Sequence, residues 1–168
     1  LPVWARTGGG RVVDVREVLA GEVQPCGRVL VYDELGFHQA PAVAELLAAR
    51  GCDVEIMTPA MVVAQDLGTT LDMELFHRRA HAAGITMHTD RVVVAADGAT
   101  VDVLHHTTGT TARQTYDWVV CAVAPEPDDA LWPALRDGGC PAHRIGDCLA
   151  PRRVHAAIVE GHRVAVSL

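Results

Sequence analysis

The residues best suited to chemistry lie near the C-terminus, in Arg144-Ile145-Gly146-Asp147-Cys148-Leu149-Ala150-Pro151-Arg152-Arg153 and the following Val154-His155-Ala156-Ala157-Ile158-Val159-Glu160-Gly161. The pattern is a short apolar strand ending in Gly-Asp, a brief turn and an Ala-rich helix. A carboxylate at Asp147 can accept hydrogen bonds from sugar-like hydroxyls. The N–H groups at the start of the helix have no intrahelical acceptor and favour negative or partially negative atoms. Gly146, Asp147 and Cys148 are therefore candidate cofactor contacts. Gly-Asp alone would equally close a strand and cap a helix; the full run from Ile145 to Gly161 carries the ligand reading. Cys148 reads either as a redox-active thiol or as a small buried one.

Other constellations are thinner. Thr7-Gly8-Gly9-Gly10 permits either a tight turn close to a ligand, with Thr7 and Gly8 as contacts, or a floppy linker. His77 and His81 stand four apart on a predicted helix, but no third ligand accompanies them. His105 and His106 alternate across a strand and so point to opposite faces. The Arg152-Arg153 pair either meets phosphates or is solvated. No Ser or Cys sits in a nucleophile elbow, and no paired carboxylates suggest hydrolysis.

These residues must be positioned by a chain of 168 residues, enough for one good core or two small lobes. Apolar content of 49% with 21% charged residues marks a globular protein. A net charge of -7 argues against a nucleic-acid or anionic-membrane surface. All 14 basic residues are Arg, and aromatics make up only 4%, so the core must come from Val, Leu, Ile and Ala. The five Cys (26, 52, 121, 140 and 148) are odd in number and widely spaced, which suits reduced thiols in a cytoplasmic protein. No apolar run approaches a membrane span or signal peptide. The start at Leu1-Pro2, read as the inside of a strand, suggests a piece of something longer.

The elements follow from periodicity. Pro2 to Ala5 reads as a strand, and Val12 to Gly21 as an extended piece followed by a short helix. Arg28 to Asp33 is a buried strand of the kind covered on both faces. The loop Glu34-Leu35-Gly36-Phe37-His38-Gln39 leads to a helix from Ala40 to Arg50, with Val43, Leu46, Leu47 and Arg50 on one stripe. Cys52 to Met57 completes a βαβ unit of about 30 residues. Thr70 is a candidate N-cap for a helix to Ala83 with Leu71, Leu75, Phe76 and Ala80 on one face. Ile85 to His88 is a short strand. Arg91–Ala96, Thr100–His106 and Ala112–Tyr116 form an antiparallel meander turning at Asp97-Gly98 and Thr107-Thr108-Gly109. Trp118 to Val123 is another buried strand. A helix from Asp129 to Arg136, a strand from His143 to Gly146 and a helix from Val154 to Ser167 finish the chain. The fold class is α/β, a Rossmann-like three-layer parallel sheet with an antiparallel β-meander.

In order and spacing, four stretches resemble the C-terminal region of flavoproteins of the trimethylamine dehydrogenase, histamine dehydrogenase and 2,4-dienoyl-CoA reductase type: Thr7-Gly8-Gly9; Val29 to Gly51; Asp117 to Pro127 with Leu131 and Leu135; and Ile145 to Gly161. The resemblance implies that residues 28–117 form an NAD(P)-type nucleotide-fold domain. It implies that 1–27 and 118–168 are parts of a FAD- or ADP-type domain. Gly146, Asp147, Cys148, Thr7 and Gly8 would then meet FAD or ADP in a partial site, and Gly36, His38 and Gln39 would line the NAD(P) loop. FMN and an iron–sulfur cluster would belong to an N-terminal barrel domain, the natural partner of this chain and absent from it, together with the first βαβ unit of the FAD-type domain.

The departures from that pattern are informative. A G-x-G-x-x-G loop works because absent side chains let backbone N–H groups reach a pyrophosphate. Here the loop is Asp33-Glu34-Leu35-Gly36-Phe37-His38-Gln39-Ala40, which keeps only Gly36 and places two carboxylates where phosphates would arrive. The second strand ends in Met57-Thr58-Pro59, with no acid for a ribose hydroxyl and no Arg for a 2′-phosphate. Ala124 stands where related domains often place Gly. NAD(P) binding at this loop is therefore doubtful. The expected function is a nucleotide-fold region of a flavin-dependent oxidoreductase. The alternatives are a working NAD(P)H-binding module and a non-catalytic packing surface, including one between copies in a homo-oligomer.

Overall fold

The computed structural model describes residues 2–6 and 11–168. The expected contacts Thr7 and Gly8 lie outside the described residues. The chain forms two compact units, Leu1–Val123 and Ala124–Leu168.

In the first unit, helix α1 (Val3–Arg6) precedes β1 (Val12–Asp14), α2 (Val15–Ala20), β2 (Arg28–Asp33), α3 (Gln39–Ala49) and β3 (Asp53–Met57). A 3-10 turn at Gln65–Thr70, helix α4 (Met73–Ala82), β4 (Thr86–His88), the meander β5 (Arg91–Asp97), β6 (Thr100–His105) and β7 (Thr110–Thr115), and β8 (Trp118–Ala122) complete it. The parallel strands lie in the order β1-β8-β2-β3-β4, and the meander is a separate antiparallel sheet.

The layering follows from the two-residue period of the strands. Val29 and Val31 of β2 share one buried core with Val18 of α2, Val43 and Leu47 of α3, and Phe76 of α4. Leu30 and Tyr32, on the alternate positions, join Val93, Val101 and Val103 of the meander in the other core. The continuous apolar run of β2 is thus a strand buried on both faces, helices on one side and the meander on the other. The expected α/β fold class is the observed one.

α2 is held at its start by a capping box: the Asp14 side chain accepts backbone N–H groups, and the Glu17 carboxylate accepts the Asp14 N–H at 2.6 Å. The pattern Asp14-x-x-Glu17 is its sequence signature.

Three expected elements differ. Val3–Arg6 is helical, not a strand; four residues carry no periodicity that separates the two, and the helix buries Ala5 and sets the Trp4 ring edge-on to Tyr32 at 5.8 Å. Thr70 does not cap α4. Its hydroxyl donates to the Leu67 carbonyl, closing the 3-10 turn, and α4 starts at Met73. Of the expected stripe, Phe76 and Ala80 are buried, whereas Leu71 and Leu75 precede or flank the buried face and are exposed.

In the second unit, α5 (Trp132–Asp137) is followed by a 3-10 turn at Gly146–Cys148 and α6 (Val154–Ala165). The strand expected over His143–Gly146 does not form. Ile145 is extended (φ -139°, ψ 165°), but among the described residues no strand of this unit lies beside it, and a lone extended segment has no ladder.

Candidate functional site

Two turns carry the candidate residues, one in each unit. The first joins β2 to α3. Asp33, the last residue of β2, is fully buried. Its Oδ1 accepts the backbone N–H groups of Leu35 (3.0 Å) and Gly36 (2.9 Å). Its Oδ2 is buried without a hydrogen-bond partner among the described residues. Burial pushes the Asp33 carboxyl up to about 6. The two amides oppose that shift, and the nearby Asp66 and Glu34 charges add to it. The loop is pinned further by Glu34 N–H donating to the Ala122 carbonyl of β8 and by Asp66 N–H donating to the Gly36 carbonyl, both at 2.9 Å. Gly36 adopts φ 64°, the left-handed region that suits glycine.

Beside this turn, at the C-terminal ends of β2 and β3, lies a cleft of about 180 Å³ lined by Glu34, Gly36, Thr58, Gln65 and Asp66 among others. This is where open α/β sheets place ligands. Here, however, the amides that would receive a pyrophosphate already hold Asp33, and Glu34 and Asp66 face the space. Each carboxylate a few Å from a phosphate costs on the order of 1 kcal/mol or more. These residues do not fit a dinucleotide pyrophosphate. Of the other expected contacts, His38 and Gln39 are exposed, and the His38 ring packs edge-on against Phe37 at 4.3 Å. The structure gathers Gly36 into the cleft wall and leaves those two side chains at the surface.

The second turn is Gly146–Cys148. Gly146 sits at φ 64°, and its N–H donates to Glu160 Oε2 of α6 at 2.8 Å. Glu160 also pairs with Arg152, and these hydrogen bonds, Gly146 first, hold its carboxyl below the usual range. Asp147 is exposed, and its Oδ1 lies 3.4 Å from the Arg152 N–H, long for a hydrogen bond. The carboxylate thus holds one long backbone hydrogen bond of its own and, being exposed, can still accept hydroxyl donors. Cys148 Sγ–H donates to the Ile145 carbonyl at 2.9 Å. Glu160 is the residue that sequence reading missed: it meets the turn through tertiary folding of α6, fourteen positions away. Arg152, weighed only as a phosphate contact or a solvated side chain, is its ion-pair partner.

A third cluster also went unnoticed. Glu55, inside β3, accepts hydrogen bonds from Arg28 Nε (2.9 Å) and Nη2 (2.6 Å), His88 Nε2 (3.0 Å) and the Tyr116 hydroxyl (3.0 Å). Burial alone would raise its pKa; the hydrogen bonds from Arg28, Tyr116 and His88 overcome this and lower it. The Arg28 guanidinium also lies over the Tyr116 ring at 4.6 Å. The network ties β2, β3 and β4 to the end of the meander. A glutamate inside an apolar strand was its one sequence signal.

The histidine pairs make no metal site. His77 Nε2 donates to the Val63 carbonyl (2.8 Å), and His105 and His106 bond to different partners, Thr108 and Pro59. Among the described residues no group of three or more His, Cys, Asp or Glu is arranged to hold a metal. No helix among them is long and apolar enough to cross a membrane.

No family model matches the chain. It is 27% identical to an N,N-dimethylglycine/sarcosine dehydrogenase of Chromohalobacter salexigens, over 91% of this chain and 27% of that protein. It is 26% identical to a probable N-methylproline demethylase of Rhizobium meliloti, over 94% of this chain and 27% of that one. The chain thus spans about a quarter of the length of the curated relatives it matches. Among solved structures, 6-hydroxypseudooxynicotine amine oxidase from Pseudomonas geniculata N1 superposes with a TM-score of 0.79 at 28% identity, over 92% of this chain and 24% of the other. Histamine dehydrogenase from Rhizobium sp. 4-9, at 24% identity and a TM-score of 0.78 over 94% of this chain and 26% of its own, shares the fold. Over nearly its whole length, the chain resembles flavoprotein oxidoreductases of the trimethylamine dehydrogenase and histamine dehydrogenase type.

Proposed function

We propose that this chain is the nucleotide-fold region of a flavin-dependent oxidoreductase of the amine dehydrogenase or enoate/dienoyl-CoA reductase type. It organises the dinucleotide side of electron transfer while substrate chemistry takes place on a barrel domain carrying FMN and an iron–sulfur cluster. The observation that carries this reading is the contrast between the two turns. The β2–α3 loop is closed by its own Asp33, whereas the Asp147 carboxylate is exposed at the Gly146–Cys148 turn. A FAD or ADP sugar hydroxyl would donate to Asp147; Gly146, with its N–H held by Glu160, would serve as a close-approach position. NAD(P) would find no amides at the first turn.

The test is a pair of titrations. ADP or FAD binding to the oxidoreductase that contains this region is expected to weaken about tenfold on Asp147→Ala, the loss of one charged hydrogen bond. NADH is expected to give no saturable binding to the chain at micromolar concentrations. Unchanged ADP and FAD affinity in the variant, or an NADH Kd of about 10 µM or below, overturns the assignment.

A second reading rests on α6, whose Val154 and Ile158 are 74% and 65% exposed, with Val166 just past its end at 71%. Such a surface suits packing against another domain or a second copy. Sedimentation of the chain separates the two: a dimer that persists at micromolar concentration and dissociates on Ile158→Glu favours the packing role.

A further inference from the structure

At the end of the first unit opposite the β2–α3 cleft, where β2 and β3 begin, two cysteines lie on neighbouring segments. The parallel register pairs Arg28 with Asp53, and Asp53 N–H donates to the Gly27 carbonyl at 3.0 Å. Cys26 and Cys52 precede the two residues of that bond, and Gly27 at φ 77° turns the chain out of the ladder between Cys26 and Arg28. A hydrogen bond brings the two residues close. Cys52 Sγ–H donates to the Pro25 carbonyl at 3.4 Å. That oxygen belongs to the peptide leading into Cys26, which puts the Cys52 sulfur within about 6 Å of the Cys26 Cα. Cys26 is exposed and Cys52 partly buried.

We propose that Cys26 and Cys52 form a hydroperoxide-responsive dithiol pair whose disulfide staples the start of β2 to the start of β3. The exposed Cys26 thiolate attacks the peroxide oxygen, becoming a sulfenic acid and releasing an alcohol or water. The Cys52 sulfur then attacks the Cys26 sulfur and displaces hydroxide, which takes the Cys52 proton and leaves as water, so that one peroxide and two thiols give one disulfide, water and the alcohol. The division of roles follows from position: burial raises the Cys52 thiol, and the neighbouring Cys26 sulfur raises it further, so Cys52 resolves and does not initiate. Cys121, fully buried on β8, is out of reach of the reagent. The pair lies away from the β2–α3 turn, and nothing in the proposed cofactor role uses it.

The experiment treats the full chain with stoichiometric hydrogen peroxide, alkylates the remaining thiols after denaturation, and maps cross-links by non-reducing proteolysis and mass spectrometry. The expected result is an intramolecular Cys26–Cys52 peptide with loss of two free thiols, reversed by dithiothreitol. It is absent in Cys52→Ser, where Cys26 halts as a trappable sulfenic acid. Cys26→Ser, a change at an exposed position outside the strands, must likewise abolish the cross-link and leave Cys52 unoxidised. Cys52 remaining alkylatable while Cys26 proceeds to sulfinic acid, or a cross-link joining either residue to Cys140 or Cys148 instead, overturns the proposal.

Discussion

Asp33 Oδ1 accepts the Gly36 N–H at 2.9 Å, and with it the Leu35 N–H, so the loop that follows β2 is organised around an anion supplied by the chain itself. The left-handed backbone of Gly36 aims its amide at the carboxylate three residues earlier. In a nucleotide-binding loop those amides wait for phosphate. Here they are satisfied before any ligand arrives, and the second carboxylate oxygen is buried without a partner among the described residues.

That burial predicts a pH dependence. The Asp33 carboxyl is raised to about 6 in the folded chain, whereas an unfolded aspartate titrates near about 3.9. As pH rises from about 4 to about 6, the unfolded state gives up this proton first, so stability falls through that window and levels off above it. The full difference is on the order of 3 kcal/mol. Asp33→Asn, which keeps an acceptor for the two amides, should remove that component. Urea titrations at pH 4.5 and 7.5 should show the variant gaining on the wild type as pH rises. A parallel pH profile for both proteins would disprove the buried-carboxylate account.

Glu55 carries the opposite sign. Its lowered pKa means its contribution is present above the unfolded glutamate pKa and is lost as pH falls through the folded one. Glu55→Ala strands Arg28, His88 and the Tyr116 hydroxyl together. Arg28 remains 45% exposed, so water recovers part of the loss, and a cost of about 1–3 kcal/mol at pH 7 is expected. Denaturant midpoints measured at pH 7 check it; the difference should shrink in acid.

Gly146→Ala tests the second turn without touching a side chain. The residue sits at φ 64°, and a Cβ would lie 3.5 Å from that of Ala157, an ordinary contact. Conformation, not space, sets the cost, roughly 1–2 kcal/mol. Amide exchange at Gly146 and along α6 should accelerate in the variant. Unchanged exchange would mean that the turn is not organised as described.

Asp14→Ala removes one half of the capping box of α2 and should lower stability by about 1 kcal/mol, with Asp14→Ser recovering most of it. Thermal unfolding of both variants makes the comparison.

Much of this was legible in the residues. Arg28 to Asp33 reads as a strand buried on both faces because Val29 to Tyr32 run continuously apolar, and the structure puts Val29 and Leu30 into opposite cores. The meander turns were readable because Gly98 and Gly109 mark them, and α3 because its stripe repeats at 3.6 residues. The helix at Val3–Arg6 was not readable, since four residues hold no period, and neither was the absence of a strand at Ile145, since a strand exists only through its neighbour.

The linear order also showed that the loop keeps only Gly36 of a phosphate-loop pattern and carries Asp33 and Glu34, and hence that negative charge stands where negative charge would bind. It did not show that Asp33 turns back onto the Leu35 and Gly36 amides, that Glu160 reaches the Gly146 N–H, or that Arg28, His88 and Tyr116 converge on Glu55. Those pairings join residues up to 61 positions apart. Local sequence determines charge, turn propensity and periodicity; which polar groups share a buried space is decided only when packing closes that space and removes water as the competing partner.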